Sequence, residues 1–278
     1  MDQSLTHLQN SLNSVMDDSR EKAKDWLQAN PTVCALPFMH FQLETNGDMK
    51  PCCSAEFPIE DETGKPINVR DYTIEEMWNH PQRHKFVNDL LSDKKPKQCN
   101  RCVVRDQNSR YSKRIHFSTN GKSLETTQRM MRDGIHNFPF ELKWIDMMPG
   151  SACNLRCRMC TPACSNSLRK DVTLIKKSNL TMPEYMAPAI GPREDKDPNG
   201  VMSFNAPDDT NQKQLVELCN THLEELKFTG GEPTTSATFW KIVDNIERPQ
   251  DMVLNVTTNG TKFNDKFINA IKKFKSNK

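Results

Sequence analysis

The sequence predicts an α/β fold in two parts, a small α+β cysteine-rich module followed by a parallel sheet whose strands alternate with helices. From residue 141 onward, short apolar runs at Leu142–Met147, Leu223–Phe228 and Met252–Val256 alternate with helical patterns. This alternation is typical of parallel strands joined by helices. Before residue 110, a hairpin signal and two closely spaced cysteines, Cys99 and Cys102, indicate the separate module.

The amino-acid composition narrows the kinds of protein that this chain can be. A chain of 278 residues is long enough for two modest domains, and its hydrophobic share of 35% with 27% charged residues predicts well-solvated surfaces. The net charge of +2 favours neither nucleic acid nor a membrane surface as a partner. The start of the chain does not resemble a signal peptide, and no apolar run reaches the length of a membrane span. We therefore expect a cytoplasmic protein, in which ten cysteines indicate metal ligands rather than disulfides.

The first predicted element is an N-terminal amphipathic helix within residues 1–29. Leu5, Leu8, Leu12 and Val15 repeat at helical spacing, and the pattern continues to residue 28 before Pro31 interrupts it. We expect this helix to have a packing role.

The cysteine-rich module is predicted to span residues 30–110. A strand from Leu36 to Leu43 has side chains that alternate between two faces, and Asn46-Gly47 then predicts a tight turn into a return strand. Thr73 and Glu76 form a capping-box pattern at the start of a helix. Residues 111–138 are polar and are predicted to be a linker or a bridging helix.

The second part is predicted to span residues 139–278. A helix is expected to begin at Thr161-Pro162, the segment 187–212 is expected to be an insertion loop, and another helix is expected to begin near Thr235. A short helix before the second strand carries Leu215, Val216 and Leu218. The last helix has an apolar stripe made of Phe263, Phe267, Ile268, Ile271 and Phe274.

Three cysteines follow the first strand of this part, at Cys153, Cys157 and Cys160. Three thiolates within eight residues form a soft-ligand set of the kind that binds iron–sulfur clusters, zinc or copper(I). Three is one fewer than the four thiolates that complete a four-iron cluster, which leaves one iron open to a substrate or cofactor. The alternatives are a zinc site with a fourth ligand from elsewhere and a set of inert buried thiols.

Two further turns follow the next two strands. Gly230-Gly231-Glu232-Pro233 ends the second strand, and Thr258-Asn259-Gly260 ends the third. The carboxyl ends of parallel strands meet at one edge of a sheet, so these turns and the cysteines are expected to lie together. The two glycines allow close approach of a ligand, Glu232 offers a carboxylate to an ammonium group, and Pro233 stiffens the turn. Asn259 is interpreted either as part of an ordinary turn or as a ligand contact.

The cysteine triplet and the Gly-Gly-Glu-Pro turn, in this order, resemble the radical S-adenosylmethionine (SAM) superfamily. The resemblance implies a partial (β/α) TIM-like barrel and a [4Fe-4S] cluster held by Cys153, Cys157 and Cys160, whose open iron chelates SAM. It implies that Gly230, Gly231, Glu232 and Pro233 line the SAM amino group, with Asn259 as a further cofactor contact. It also implies reductive cleavage of SAM to a 5′-deoxyadenosyl radical.

A second cysteine set lies in the N-terminal half. Cys34, Cys52, Cys99 and Cys102 resemble the ligands of the auxiliary-cluster module called twitch, a relative of the SPASM domain. The resemblance implies a second [4Fe-4S] cluster, placed before the barrel rather than after it. The alternative is a structural four-cysteine zinc site. Cys53 is a reserve ligand, while Cys164 and Cys219 are expected to be core thiols, and His40, His80 and His84 are expected to be surface or packing residues.

The function predicted from these motifs is that of a radical SAM enzyme acting on a peptide or a small molecule, with an electron donor such as a flavodoxin or ferredoxin. The alternatives are a non-catalytic iron–sulfur electron-transfer protein and a zinc-stabilised binding module. Only three strand–helix units are visible before Lys278, so the third strand is expected to lie at the sheet edge. A truncated barrel of this kind is expected to hold SAM weakly and to self-associate, or to be completed by a partner chain.

Overall fold

The computed structural model describes residues 3–108, 111–135, 141–178, 180–181 and 210–277. The chain forms two compact units. The first consists of Met1–Met39, Ser54–Phe57 and Pro81–Glu141, and the second of His40–Cys53, Pro58–His80 and Leu142–Lys278. Most of the predicted loop 187–212 lies outside the described residues, and residues 210–212 belong to a helix.

The secondary structure is mixed. The described helices are α1 Gln3–Ala29, α2 Ile74–Trp78, α3 Pro81–Leu91, α4 Asn100–Gln107, α5 Lys113–Ser118, α6 Gly121–Asp133, α7 Asn166–Lys177, α8 Thr210–Thr221, α9 Ala237–Val243 and α10 Asp265–Ile271. The described strands are β1 His40–Leu43, β2 Met49–Lys50, β3 Trp144–Met147, β4 Glu225–Phe228, β5 Val253–Val256 and β6 Ser276–Asn277. Within these ranges, no helix combines the length and the apolar character needed to cross a lipid bilayer.

The first unit is helical and contains α1, α3, α4, α5 and α6. The predicted N-terminal helix is confirmed as α1, which packs on α5 and α6. Ala23 and Leu27 are fully buried on α1, whereas Val15 is 65% exposed, so from residue 14 onward the packed positions lie towards the C-terminal end of this helix. Residues 111–135, predicted as a linker or bridging helix, form α5 and α6, which contact each other.

The second unit is built on one six-stranded sheet of order β2-β1-β3-β4-β5-β6. β1 and β2 form the predicted antiparallel hairpin, and every other neighbouring pair is parallel. Gly47 in the hairpin turn has φ +86°, the left-handed conformation for which glycine is favoured. The α/β class with a mostly parallel sheet is therefore confirmed, and the described strands form an open sheet, not a closed barrel.

The strand predicted from Leu36 to Leu43 is shorter than expected. Pro37, which has no backbone N–H, lies in a 3₁₀-helix at Leu36–Phe38, so β1 begins only at His40. β1 pairs with β2 on one side and with β3 on the other, and all four of its side chains are buried, because a strand inside the sheet can be covered on both faces. The hairpin predicted for the cysteine-rich module thus joins the sheet that carries the Cys153 loop.

The prediction that the third strand lies at the sheet edge is also wrong. After α10 the chain returns to the sheet, and Val253 and Leu254 of β5 pair in parallel with Ser276 and Asn277 of β6. The amide of Lys275 donates to the carbonyl of Pro249 at 3.0 Å, which guides this return. The backbone of β5 is therefore paired on both sides at these positions.

The helix expected at Thr161-Pro162 begins later. The carbonyl of Thr161 accepts hydrogen bonds from the amides of Cys164 and Ser165, at 3.0 and 3.1 Å, and closes a turn. The helix α7 starts only at Asn166. The apparent capping signal therefore marks a turn that extends the cysteine loop by four residues.

One face of the sheet is apolar and covered by helices. Ile145, Leu226, Phe228 and Leu254 are fully buried on it, and the ring of Phe239 on α9 lies 4.8 Å from that of Phe228. The predicted stripe on the last helix is only partly packed. Phe267 and Phe274 are buried, but Phe263 precedes α10 and is 60% exposed.

Candidate functional site

The loop that carries Cys153, Cys157 and Cys160 follows β3 and is fixed by its neighbours in the second unit. The amide of Glu232 donates to the carbonyl of Ala152 at 2.8 Å, and the amide of Asn166 donates to the carbonyl of Ser151 at 2.8 Å. The side chain of Ser165 donates to the carbonyl of Leu155 at 2.9 Å. The turn after β4 and the start of α7 thus hold the two ends of the loop.

The three thiols of the loop are half-buried and close enough to influence one another. Burial raises the pKa of the Cys160 thiol, and the neighbouring Cys157, Cys164 and Cys153 raise it further. Thiolates grouped in this way repel one another unless a cation neutralises them. The amide of Leu155 donates to Sγ of Cys153 at 3.5 Å, a contact that favours a negatively charged sulfur.

Cys164 belongs to the same cluster of thiols. It was expected to be a core thiol, but it is half-exposed and acts electrostatically on Cys160. The late start of α7 explains its position, because the turn closed by Thr161 folds the chain back towards the loop. Cys219 behaves as expected: it is fully buried, and burial raises the pKa of its thiol to about 12.

Gly230 and Gly231 pack against the cysteine loop itself. A Cβ atom on Gly231 would lie 2.4 Å from the carbonyl oxygen of Ala152, and one on Gly230 would lie 2.9 Å from Cβ of Met148. Gly230 also has φ +100°, a conformation that side chains rarely adopt. In the structure these glycines are needed where the turn after β4 meets the loop after β3.

Glu232 is 1% exposed and joins two loops. Its Oε1 accepts from the amide and hydroxyl of Thr234, at 3.1 and 2.6 Å, and from the hydroxyl of Thr258 at 2.8 Å. Its Oε2 accepts from the amide of Asn259 at 2.6 Å. Burial alone would raise the pKa of Glu232, but these hydrogen bonds outweigh it and hold the pKa below its ordinary value. The carboxylate therefore ties the turn after β4 to the turn after β5.

The other predicted cofactor residues belong to the same turns. Pro233 is buried and starts a short 3₁₀-helix, Pro233–Thr235. The side chain of Asn259 shapes its own turn by accepting from the amide of Thr261 at 3.0 Å. It also donates to Oδ1 of Asn154 at 3.0 Å and approaches Sγ of Cys153 at 3.9 Å. The structure thus brings together the cysteine triplet, the glycine turn and Asn259, as the parallel-sheet argument predicts.

A buried ion pair beneath these turns escaped the sequence reasoning. Lys227 on β4 donates to Oδ2 of Asp146 on β3 at 2.7 Å, and Asp146 is 1% exposed. Burial raises the pKa of Asp146, while Lys227 and Thr229 act in the opposite direction. In the sequence, the sign that could have indicated this pair was the carboxylate of Asp146 inside an otherwise apolar strand. This pair makes the second face of the sheet polar, in contrast to the helix-covered face.

The second cysteine set is divided between the two units. Cys34, Cys99 and Cys102 belong to the first unit, and Cys52 follows β2 in the second. Burial raises the pKa of Cys34 to about 11, with a smaller contribution from Cys102. Burial also raises the pKa of Cys99 to about 12, with contributions from Cys34 and Cys102. These three thiols are therefore neighbours within the first unit.

Arg114 is a buried cation beside these thiols, and the sequence reasoning did not single it out. Its guanidinium is paired with Asp106 at 2.8 Å and donates to the carbonyl of Val33 at 3.0 Å, next to Cys34 in sequence. Its charge favours the thiolate forms of both Cys34 and Cys99. The first unit thus contains a soft donor set with a positive charge beside it.

A comparison with known protein families gave a match over the segment that contains this second cysteine set. Residues 34–103 match the family model SPASM, an iron–sulfur cluster-binding domain. Searches of curated proteins and of solved structures gave no match. The matched segment contains Cys34, Cys52, Cys99 and Cys102, and it covers about a quarter of the chain. It supports the predicted SPASM-like module and an iron–sulfur cofactor, and it does not include Cys153.

The donor chemistry of both sets suits a soft metal site. Thiolates are the ligands of iron–sulfur clusters and of structural zinc, so the residues present fit either group. Among the described residues, no three His, Cys, Asp or Glu side chains are already arranged around one point as for a single metal ion.

The remaining candidates have packing or surface positions. Cys53 is exposed. His40 is buried with its ring 4.3 Å from that of Trp144, and His80 is buried with its ring 5.1 Å from that of Tyr72. His84 is half-exposed. These positions agree with the packing and surface roles expected for the histidines.

Proposed function

We propose that this protein is a radical SAM iron–sulfur enzyme. In this proposal Cys153, Cys157 and Cys160 hold a [4Fe-4S] cluster with one open iron, to which SAM binds. Cys34, Cys52, Cys99 and Cys102 hold an auxiliary [4Fe-4S] cluster. The partial TIM-like barrel is the fold that this function implies for the second unit.

The observation that carries the proposal is the convergence of three loops at the carboxyl edge of the sheet. The cysteine loop follows β3, the Gly230–Pro233 turn follows β4, and the Asn259 turn follows β5. Direct hydrogen bonds join the three, from Glu232 to Ala152 and from Asn259 to Glu232. A soft-ligand loop held against two such turns suits a cofactor that binds at the open position of a cluster.

The bound cluster would supply one electron to SAM, whose carbon–sulfur bond breaks to give a 5′-deoxyadenosyl radical that abstracts hydrogen from the substrate. The protein's residues hold this site in place. Gly230 and Gly231 let the turn after β4 approach the cysteine loop, and Glu232 fixes the turn after β5. Glu232 remains the proposed contact for the SAM amino group, in addition to the hydrogen bonds that it makes within the protein.

Substrate and partners are part of the proposal. We propose a peptide or a small molecule as substrate and a flavodoxin or ferredoxin as electron donor, in the cytoplasm. The buried pair of Asp146 and Lys227 makes the face of the sheet below the loops polar. All ten cysteines are free thiols, as cluster ligation requires.

A second candidate is a non-catalytic iron–sulfur electron-transfer protein. It is favoured by one observation, namely that the family match covers an iron–sulfur cluster-binding domain and stops before Cys153. The third possibility, a zinc-stabilised module, uses the same thiolate donors.

Anaerobic reconstitution followed by a SAM-cleavage assay separates these candidates. The proposal predicts about eight irons per chain, from two four-iron clusters, and release of 5′-deoxyadenosine with dithionite as reductant. Iron without 5′-deoxyadenosine would identify an electron carrier. Zinc without iron after purification would identify a zinc module and refute the proposal.

A further inference from the structure

The helix α5 holds the backbone on both sides of Cys34. The guanidinium of Arg114 donates to the carbonyl of Val33 at 3.0 Å. The hydroxyl of Ser118 accepts from the amide of Ala35 at 3.1 Å. Arg114 and Ser118 are both buried and lie four residues apart, so they share one face of α5. One turn of this helix thus fixes the two peptide groups that flank Cys34.

Arg114 also reaches the helix that carries the other two cysteines of the first unit. Cys99 immediately precedes α4, and Cys102 lies within it. The carboxylate of Asp106, about one turn after Cys102 on the same helix, accepts from Nε of Arg114 at 2.8 Å. The arginine therefore joins the segment of Cys34 to the helix of Cys99 and Cys102.

The remaining hydrogen bonds of Arg114 are made at the end of α1. Its Nη1 donates to the carbonyls of Leu27 and Asn30, at 3.2 and 3.3 Å. These contacts by themselves would assign a purely structural role to the side chain. The charge that it places beside the thiols is a separate property, because a guanidinium stays protonated in proteins.

The charge of Arg114 acts on two of the thiols. Burial has the largest effect on the pKa of Cys34 and on that of Cys99 and raises both, whereas Arg114 acts in the opposite direction on each. Net charge near an iron–sulfur cluster is one of the factors that set its reduction potential. A cation that favours these thiolates therefore also favours the addition of an electron to a cluster bound by the same sulfur atoms.

We propose that Arg114 is a positioning residue of the auxiliary cluster, which joins the segments that carry its ligands and raises its reduction potential. The inference rests on the proposed cluster at Cys34, Cys52, Cys99 and Cys102. On reduction the cluster gains one electron, and the flavodoxin or ferredoxin of the proposed function loses one. No bond forms or breaks, and no proton moves, since the guanidinium is protonated in both states.

Asp106 provides a variant with the opposite electrostatic effect. Arg114→Gln removes the positive charge and retains an amide donor, whereas Asp106→Asn removes the negative charge and retains an acceptor oxygen. The first change should make reduction of the cluster less favourable, and the second should make it more favourable. A purely structural role predicts lower iron content in both variants, without shifts of opposite sign.

The measurement uses the full chain in the background C153A/C157A/C160A, so that the auxiliary cluster is the one observed. After anaerobic reconstitution the iron is counted per chain, with about four irons expected. The cluster is then titrated with dithionite, and its reduced form is followed by electron paramagnetic resonance. SAM is not added, so the result does not depend on SAM cleavage.

The matched controls are Arg132→Gln and Asp133→Asn, which make the same charge changes at a surface ion pair. The pair lies on α6 in the same unit, at 2.8 Å, with side chains 67% and 46% exposed. Solvent screens such exposed charges, so these controls test whether the charge of the unit matters without regard to its position. A further variant, Arg114→Lys, retains the charge but not the planar fork.

We expect the equilibrium constant for one-electron reduction to fall at least about tenfold in Arg114→Gln, which is a shift of about 59 mV to lower potential. In Asp106→Asn it should rise at least about threefold, because the charge of Arg114 is then no longer opposed. Arg114→Lys should stay within about threefold of the background, and each control should change less than about twofold.

Shifts of the same sign in Arg114→Gln and Asp106→Asn, or shifts no larger than those of the controls, would overturn the proposal. If Arg114→Gln retains no iron, Asp106→Asn decides alone, and an unchanged or lower potential in it refutes the inference. Failure of the proposed function gives a different result. Zinc or no metal in the folded background chain would refute the auxiliary cluster itself, before any potential is measured.

Discussion

The amide of Asn259 donates to the carboxylate of Glu232 at 2.6 Å, so a residue predicted to contact SAM also joins the turns after β4 and β5. Glu232 is 1% exposed and accepts three more hydrogen bonds from Thr234 and Thr258. A carboxylate with this many donors is a structural element of the site as well as a proposed cofactor contact.

Replacement of Glu232 by Gln should lower the free energy of unfolding by about 1–3 kcal/mol, because an amide NH₂ cannot accept the hydrogen bonds that one carboxylate oxygen accepts. Urea unfolding of the apo-protein measures this loss. The matched control is Glu247→Gln, since Glu247 is exposed, and its free energy of unfolding should change by less than about 0.5 kcal/mol. Equal stability of both variants would contradict the role assigned to Glu232.

The buried carboxylate of Glu232 also predicts that the free energy of unfolding depends on pH. Its pKa in the folded protein lies below the ordinary value of 4.5, because the hydrogen bonds favour the charged form over the effect of burial. The stabilisation is therefore complete above pH 4.5 and is lost as the pH falls through the folded pKa. Between pH 6 and pH 3 the stability difference between wild type and Glu232→Gln should shrink. A difference that stays constant or grows on acidification would contradict this prediction.

Replacement of Gly231 by Ala should disrupt the cysteine loop. The new Cβ would lie 2.4 Å from the carbonyl oxygen of Ala152, so one of the two turns must move, at a cost of about 1–3 kcal/mol. We expect lower iron content after reconstitution, measured per chain. Gly64→Ala is the control: its φ of +81° makes alanine strained there, but nothing lies within 4 Å of its Cβ position and it is remote in sequence from the cysteine loop, so we expect lower stability and unchanged iron content. Unchanged iron content in Gly231→Ala would show that the loop tolerates the shift.

Replacement of Cys153, Cys157 and Cys160 by Ala should remove about half of the iron and abolish SAM cleavage, since the open iron is lost with these ligands. Iron analysis and 5′-deoxyadenosine release measure the two effects. Release of 5′-deoxyadenosine by the triple variant would refute the assignment of the SAM-binding cluster.

Replacement of Cys99 and Cys102 by Ala should lower the iron content and the stability of the first unit but leave some SAM cleavage. The reason is that the auxiliary cluster is not the proposed SAM site. The same two assays apply, with dithionite as reductant. Complete loss of cleavage in a folded variant that retains the core cluster would count against separate roles. Zinc at Cys34, Cys52, Cys99 and Cys102 would refute the auxiliary assignment alone.

Local sequence patterns determined most of the elements. The capping box at Thr73 and Glu76 forms as predicted, and the Asn46-Gly47 turn closes the hairpin. These features depend on a few adjacent residues, whose backbone preferences suffice to specify them. The spacing of Cys153, Cys157 and Cys160 likewise predicted a soft-ligand loop at the end of a strand.

Sequence patterns led to wrong predictions where the local structure depends on residues that are close in space but not adjacent in sequence. Thr161-Pro162 has the composition of a helix start, but the hydrogen bonds of its carbonyl close a turn and bring Cys164 into the thiol cluster. The short segment Ser276–Asn277 has no strand signal of its own, and it pairs because β5 offers a parallel edge.

The sequence by itself determined the order of β3, β4 and β5 with the helices between them, and the chemical character of the two cysteine sets. Only the tertiary structure decided that β1 lies beside β3 in the same sheet and that Asp146 and Lys227 form a buried pair. It also decided that Glu232 bonds to Asn259 and that Gly231 packs on Ala152. Cysteine spacing and strand–helix alternation are properties of neighbours along the chain. The other relationships join residues up to about a hundred positions apart, and packing alone selects them from the many pairings that the same residues allow.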